Sequence, residues 1–241
     1  MNKASIRVES LVIPTYPEPA KEEFVKVEIP EYRVHQRSTG RPYPNKATLD
    51  VDRQHRQDKT YTVVHMENEY LDVLIMPEIG GKIYAAKDKT TGYDFFYRQH
   101  VVKPGLIGAF GSWVSGGVEF NWPFHHRPSS FLPCDYALEA CEDGSVVCWL
   151  SEHDPIDRMK GMVGIVLRPG CAYLETRVKL CNRTPVTKSF LWWENAAVPV
   201  NESYQIFFPK DVTYVNFHYL DSRISYPVAG DATFNGIDMT T

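Results

Sequence analysis

Long apolar runs are missing from this 241-residue chain. Nowhere do about 18 apolar residues follow one another, so no helical membrane span is expected. An excess of one charge is missing too. Lys and Arg number 26 against 30 Asp and Glu, a formal net charge of −4. Binding to nucleic acid by phosphate neutralisation is therefore not expected. Cysteine is sparse, with five residues at 134, 141, 148, 171 and 181 and no Cys-x-x-Cys pair. Neither a disulfide framework nor a structural zinc site fits that spacing, so the thiols are expected reduced and mostly buried. Residues 1–19 place Lys3, Arg7 and Glu9 across a broken apolar run, which is not the pattern of a secretory leader. A cytoplasmic setting is the expectation.

Room for helices is also lacking. Fifteen glycines and 17 prolines punctuate the chain every few positions, and no three-turn amphipathic pattern survives them. Strand patterns take their place. Residues 5–13 and 23–29 read as strands joined through a proline-rich turn, and 30–59 as a long connection wrapping the domain. Residues 61–67, 69–76 and 82–88 form an antiparallel meander broken at Glu67-Asn68 and at Pro77-Glu78-Ile79-Gly80-Gly81. A turn at residues 89–92 leads into the aromatic stripe 93–97. Residues 145–150 and 159–167 follow, and 172–180 alternates strictly, which predicts a strand with one wet face. Residues 187–198 are apolar on both faces and should be covered on both or line a cleft. Many strands on short turns must close into a sandwich or barrel. One domain is expected, with residues 1–60 as its N-terminal strands and connection and 61–241 as its body.

Chemistry concentrates in two segments. In Gly116-Gly117-Val118-Glu119-Phe120-Asn121-Trp122-Pro123, extension puts Glu119 and Asn121 on one face, with Val118, Phe120 and Trp122 on the other. A carboxylate beside an amide, with Trp122, His125, His126 and Arg127 nearby, suits sugar hydroxyls and an apolar sugar face. His125 and His126 point to opposite sides of an extended chain, so both can hardly ligate one metal. The glycines lack the lysine and helix of a phosphate loop. No metal or other cofactor is expected. In Phe190-Leu191-Trp192-Trp193-Glu194-Asn195, Glu194 shares a face with Trp192, and an aromatic setting raises a carboxyl pKa.

These motifs, with Met76-Pro77-Glu78-Ile79-Gly80-Gly81-Lys82-Ile83 and residues 178–186, resemble galactose-mutarotase-like domains. More narrowly, they resemble a family in which such a domain often precedes tetratricopeptide repeats. The resemblance covers residues 5–241. It implies an all-β antiparallel supersandwich, carbohydrate as ligand class, and attached tetratricopeptide repeats in the full-length protein. It also implies that the sandwich is truncated on its C-terminal side, since strands of such domains would follow Thr241. Aldose epimerases of that superfamily carry Asn-His and then Tyr-Phe-Asn on the strand matching residues 192–197. Trp193-Glu194-Asn195 stands there instead.

Three functions follow as expectations. The first is a glycoside hydrolase acting on oligosaccharides, with Glu119 and Glu194 as paired carboxylates opening into one cleft, roughly 5–10 Å apart. Asn121, Trp122, His125, His126, Arg127, Trp192 and Asn195 would bind its substrate. The second is an aldose epimerase with a non-standard acid–base pair, and the third a non-catalytic sugar-binding module.

Overall fold

The computed structural model describes residues 3–17, 53–107, 111–123, 126–127, 129–154, 158–205, 207–217, 222–225, 233–234 and 237–238. The chain forms two compact units, Met1–Pro199 and Val200–Thr241. The first is a two-sheet antiparallel sandwich, as the sequence predicts. Its large sheet has the order β1-β2-β3-β4-β7-β12: Ser5–Thr15, Gln57–Glu67, Leu71–Met76, Lys82–Asp88, Val118–Asn121 and Trp193–Ala196. Its smaller sheet, in the order β11-β10-β9-β8, comprises Leu174–Asn182, Met159–Leu167, Val146–His153 and Asp135–Ala140. A hairpin of β5 (Gly105–Ile107) and β6 (Gly111–Trp113) stands apart. In the second unit β13 (Tyr214–Phe217) pairs with β14 (Ser222–Ser225), and β15 (Thr233–Phe234) with β16 (Ile237–Asp238). A single 3-10 turn, Pro77–Ile79, supplies the helical residues among those described.

The core lies where alternate residues of the two sheets meet. Val64, Met66, Val73, Ile75, Ile83, Val118 and Phe120 of the large sheet pack with Val146, Cys148, Leu150, Val163, Ile165 and Leu167 of the smaller. Each such side chain, fully buried, stabilises the fold by about 1.5–3 kcal/mol. A second apolar cluster, including Tyr61, Val63, Met76, Tyr84, Ala85, Val114 and Phe131, lies on the other face of the large sheet. The large sheet is thus buried on both sides along much of its middle.

Two glycines set how closely the pieces approach. A Cβ on Gly117 would lie 1.9 Å from the Ile83 carbonyl oxygen, and its φ of +63° is left-handed. Only glycine lets the chain enter β7 this close to β4. On β10, a Cβ at Gly161 would sit 2.3 Å from the Trp122 ring, so that indole occupies the space a side chain would have taken.

Several expectations need correction. The strict alternation of 172–180 belongs to β11, an edge strand with both faces largely open; Val178 and Leu180 are each 38% exposed. The predicted strand over 187–198 is paired only at Trp193–Ala196. The aromatic stripe 93–97 makes one isolated bridge, Lys87 with Asp94. The strand β8 was not anticipated, because an edge strand exposed along its whole length gives no clear period. The cysteines are all free, but only Cys148 is buried; three are half-buried and Cys181 is exposed. The strand over 23–29 and most of the wrapping connection lie outside the described residues. No helix among the described residues is long and apolar enough to cross a membrane.

Candidate functional site

The residues that bear on chemistry come together where β4, β7 and β12 run side by side. Gly117 brings β7 against β4 at the Ile83–Val118 pair, and β12 docks on β7 with Asn195 opposite Glu119 and Trp193 opposite Asn121. Antiparallel neighbours share a face, so Lys82, Glu119 and Asn195 form one row across three strands. The row lies on the face turned away from the smaller sheet, the side of Tyr84 and Val114.

Glu119 is 6% exposed, and its surroundings are polar. His126 Nδ1 lies 3.2 Å from Oε2, and Asn195 Nδ2 donates to the same oxygen at 3.3 Å. Burial pushes the Glu119 carboxyl up, but these hydrogen bonds, with Asn121 close by, hold it below the usual carboxylate range. An ionised carboxylate can only accept, so His126 Nδ1 is the donor to Glu119. The Trp193 ring meets His126 edge-on at 4.3 Å between centroids and fixes its plane. Lys82 is 4% exposed; its Nζ donates to Val114 O and, at 3.3 Å, to Ser115 O. Burial lowers its pKa to about 8, against a pull upward from Glu119.

Three buried donors in this region lack an acceptor: Asn121 Nδ2, Trp193 Nε1 and Arg127 Nε. Asn121 is wholly buried; its Oδ1 accepts the Arg127 N–H at 2.8 Å, while Nδ2 has no hydrogen-bonding partner. The indole Nε1 of Trp193 is likewise buried and unpartnered. Buried donors are rarely left so, and an oxygen atom on this face would satisfy those of Asn121 and Trp193.

The structure therefore brings together Glu119, Asn121, His126 and Asn195, and separates others from them. Glu194 pairs with Phe120 in register, so it lies on the opposite face of the sheet from Glu119 and is exposed. The two carboxylates do not open into one cleft. The reason is parity: Asn195, not Glu194, stands across from Glu119. Trp122 is 2% exposed and Trp192 is packed against the same core, the two rings stacked at 5.5 Å and 12°. The Trp122 indole is not offered to a ligand, and Trp192 is half-buried on the core-facing side, away from Glu119. Arg127 is also taken up internally. Its guanidinium pairs with Glu152 at 2.7 Å, donates to Gly80 O, and covers the Trp122 ring at 4.3 Å. It anchors the segment that carries His126. His125 lies outside the described residues.

Sequence reasoning missed Lys82 and Trp193. Each carried a signal: Lys82 is the charged residue opening an otherwise apolar strand start, and Trp193 has the opposite parity to Trp192. Elsewhere on this face a hollow of about 410 Å³ is lined by residues including Glu9, His65, Asp72 and Arg98. Its histidine is satisfied internally, with Arg7 donating to Nδ1 at 2.6 Å and Asp72 3.0 Å from Nε2, and Glu119 does not line it. No cluster of three potential metal ligands occurs among the described residues.

Comparison with known proteins agrees with the fold. A crystal structure of a TPR-domain containing protein from Parabacteroides distasonis ATCC 8503 superposes with a TM-score of 0.66 at 21% sequence identity. The match covers 83% of this chain but 33% of the other, so the chain spans about a third of that neighbour's length. Residues 40–233, well over half of the sequence, match a family described as a domain of unknown function, DUF5107. The chain belongs to the DUF5107 family.

Proposed function

We propose that this domain is a galactose-mutarotase-like carbohydrate-active protein that takes a sugar over the Glu119 face of the large sheet. Glu119 and His126 act on it as an acid–base pair, in an aldose epimerase reaction. One observation carries the reading: a buried, ionised carboxylate bonded to an imidazole, with two unpartnered buried donors, Asn121 Nδ2 and Trp193 Nε1, on the same face. Hydroxyl and ring oxygens of a sugar are the acceptors those donors lack.

The chemistry needs only these groups. A base removes the proton of the anomeric hydroxyl as an acid protonates the ring oxygen. The bond from the anomeric carbon to the ring oxygen breaks, giving the open-chain aldehyde. Rotation about the next carbon–carbon bond and reclosure by the reverse proton transfers yield the other anomer, without redox change or water consumed. General acid–base catalysis of this kind contributes about 10²–10⁴-fold. Hydrolysis through Glu119 and Glu194 would require both carboxylates about one glycosidic oxygen, and their opposite faces do not support it.

Attached tetratricopeptide repeats in the full-length protein are part of the same proposal, supported by the solved neighbour being a TPR-domain containing protein. The test is polarimetry of a freshly dissolved hexose, run over a panel of common aldoses. Acceleration of mutarotation by the wild type, lost in Glu119→Gln and His126→Ala, is the expected result. A wild-type rate equal to buffer for every sugar would overturn the enzymatic reading.

A further inference from the structure

Lys82 has no part in the proton transfers above, yet it is a buried ammonium in the same row as Glu119. An ammonium held only by neutral carbonyls is costly to bury, and it persists where a counter-charge stands close. Two carbonyls, of Val114 and Ser115, take Nζ hydrogen bonds. Both belong to the segment that leads from β6 to Gly116 and Gly117, and so to the start of β7. The counter-charge comes from β7 itself: Ile83 pairs with Val118, and one residue on, in antiparallel register, Lys82 stands beside Glu119. Around the pair, the segment after β7 brings His126, bonded to Glu119. The neighbour of Lys82 on β3 is Met76, and β12 supplies Asn195 and Trp193, none of which titrates.

We propose that Lys82 is the positioning residue of this site, its charge sustained by Glu119 and its hydrogen bonds tying the Val114–Ser115 segment to the sheet. Ionisation of the carboxylate and placement of that segment are then one linked equilibrium. Linkage is reciprocal: whatever Glu119 does to the protonation of Lys82, Lys82 does to Glu119. A ligand group that neutralised Glu119 would loosen the Val114–Ser115 segment at the same time.

The inference rests on Glu119 being the carboxylate of the site, but its test uses no sugar. The probe is the 13Cε resonance of Lys82 in the full 241-residue chain, followed by NMR through an alkaline titration. Removing the carboxylate charge with Glu119→Gln should lower the Lys82 midpoint by about 1 pH unit, the lower end for an opposite charge on the neighbouring strand that is not ion-paired. Glu194→Gln, on the opposite face, should leave it in place. An unchanged midpoint in folded Glu119→Gln would overturn the proposal.

Should that variant fail to fold, the wild type decides alone. The backbone amides of Ser115 and Gly116 should shift with the same midpoint as Lys82, and a flat response overturns the linkage. Linkage without mutarotation would remove the epimerase reading and leave this one standing. Mutarotation without linkage would do the reverse.

Discussion

Strand β7 has two faces of equal burial and opposite chemistry. Val118 and Phe120 are 3% and 1% exposed and meet the aliphatic side chains of the smaller sheet. Glu119 and Asn121, between and after them, are 6% and 0% exposed and meet an imidazole, amides and a backbone N–H. Burial alone therefore does not separate core from site. Partner chemistry does: one face is satisfied by dispersion and exclusion of water, the other by hydrogen bonds with two donors left over.

The largest effects should come from the dry face and its anchor. Phe120→Ala is expected to lower stability by about 3–5 kcal/mol, the cost of deleting a fully packed aromatic ring. Urea denaturation followed by tryptophan fluorescence measures it. Arg127→Met should lower stability by about 3–5 kcal/mol as well, because it strands the Glu152 carboxylate and uncovers Trp122. In the same assay Glu152→Gln combined with Arg127→Met should recover part of that loss; no recovery would show that the pair is not the anchor.

On the polar face the expected loss is functional. Glu119→Gln should reduce any catalysed mutarotation by about 100-fold or more, while the urea midpoint moves far less than in Phe120→Ala. Adjacent residues would then fail in different assays, which is the comparison at its sharpest. Equal stability losses for the two would break it.

The pH dependence of stability follows from the shifted groups. Glu119 titrates below its ordinary value in the folded chain, so its contribution is present above about pH 4.5 and is lost as pH falls through the lower folded value. Lys82 is lowered too, so its slope has the same sign, but here it is the charged form that burial penalises. Its pKa falls from 10.5 to about 8 on folding, so above pH 8 the unfolded chain binds more protons and stability rises with pH. The Cys134 and Cys148 thiols, pushed by burial from 9.0 to about 11 and about 12, oppose this above pH 9. Urea midpoints should thus rise between pH 8 and 9, and Lys82→Met should flatten the rise. The smallest effect is expected at Glu194: exposed on the other face, its change to Gln should shift stability by no more than about 0.5 kcal/mol.

Much of the fold was legible because its signals are local. The strands Lys82–Asp88 and Met159–Leu167 have the ends that their flanking turns predict, Gly80-Gly81 before one and Arg168-Pro169-Gly170 after the other. The two faces of β7 also follow from its period of two. What stayed hidden is register between strands far apart in sequence. Nothing near Glu119 says that Asn195 rather than Glu194 will face it, or that Lys82 will lie alongside; those pairings depend on β4 and β12 docking on either side. Composition misleads for Trp122, Trp192 and Arg127, which look like a sugar platform; instead Arg127 and the half-buried Trp192 both pack on the buried Trp122 ring.

Trp192 and Trp193 allow the two faces to be compared most directly, since they are adjacent and point opposite ways. Their indole N–H resonances can be followed separately by NMR during titration with a mutarotating hexose. The Trp193 signal, from the unpartnered donor beside His126, should shift saturably, and those of Trp192 and Trp122 should stay in place. A saturable shift at Trp192 with Trp193 unmoved would contradict the assignment of the site to the Glu119 face.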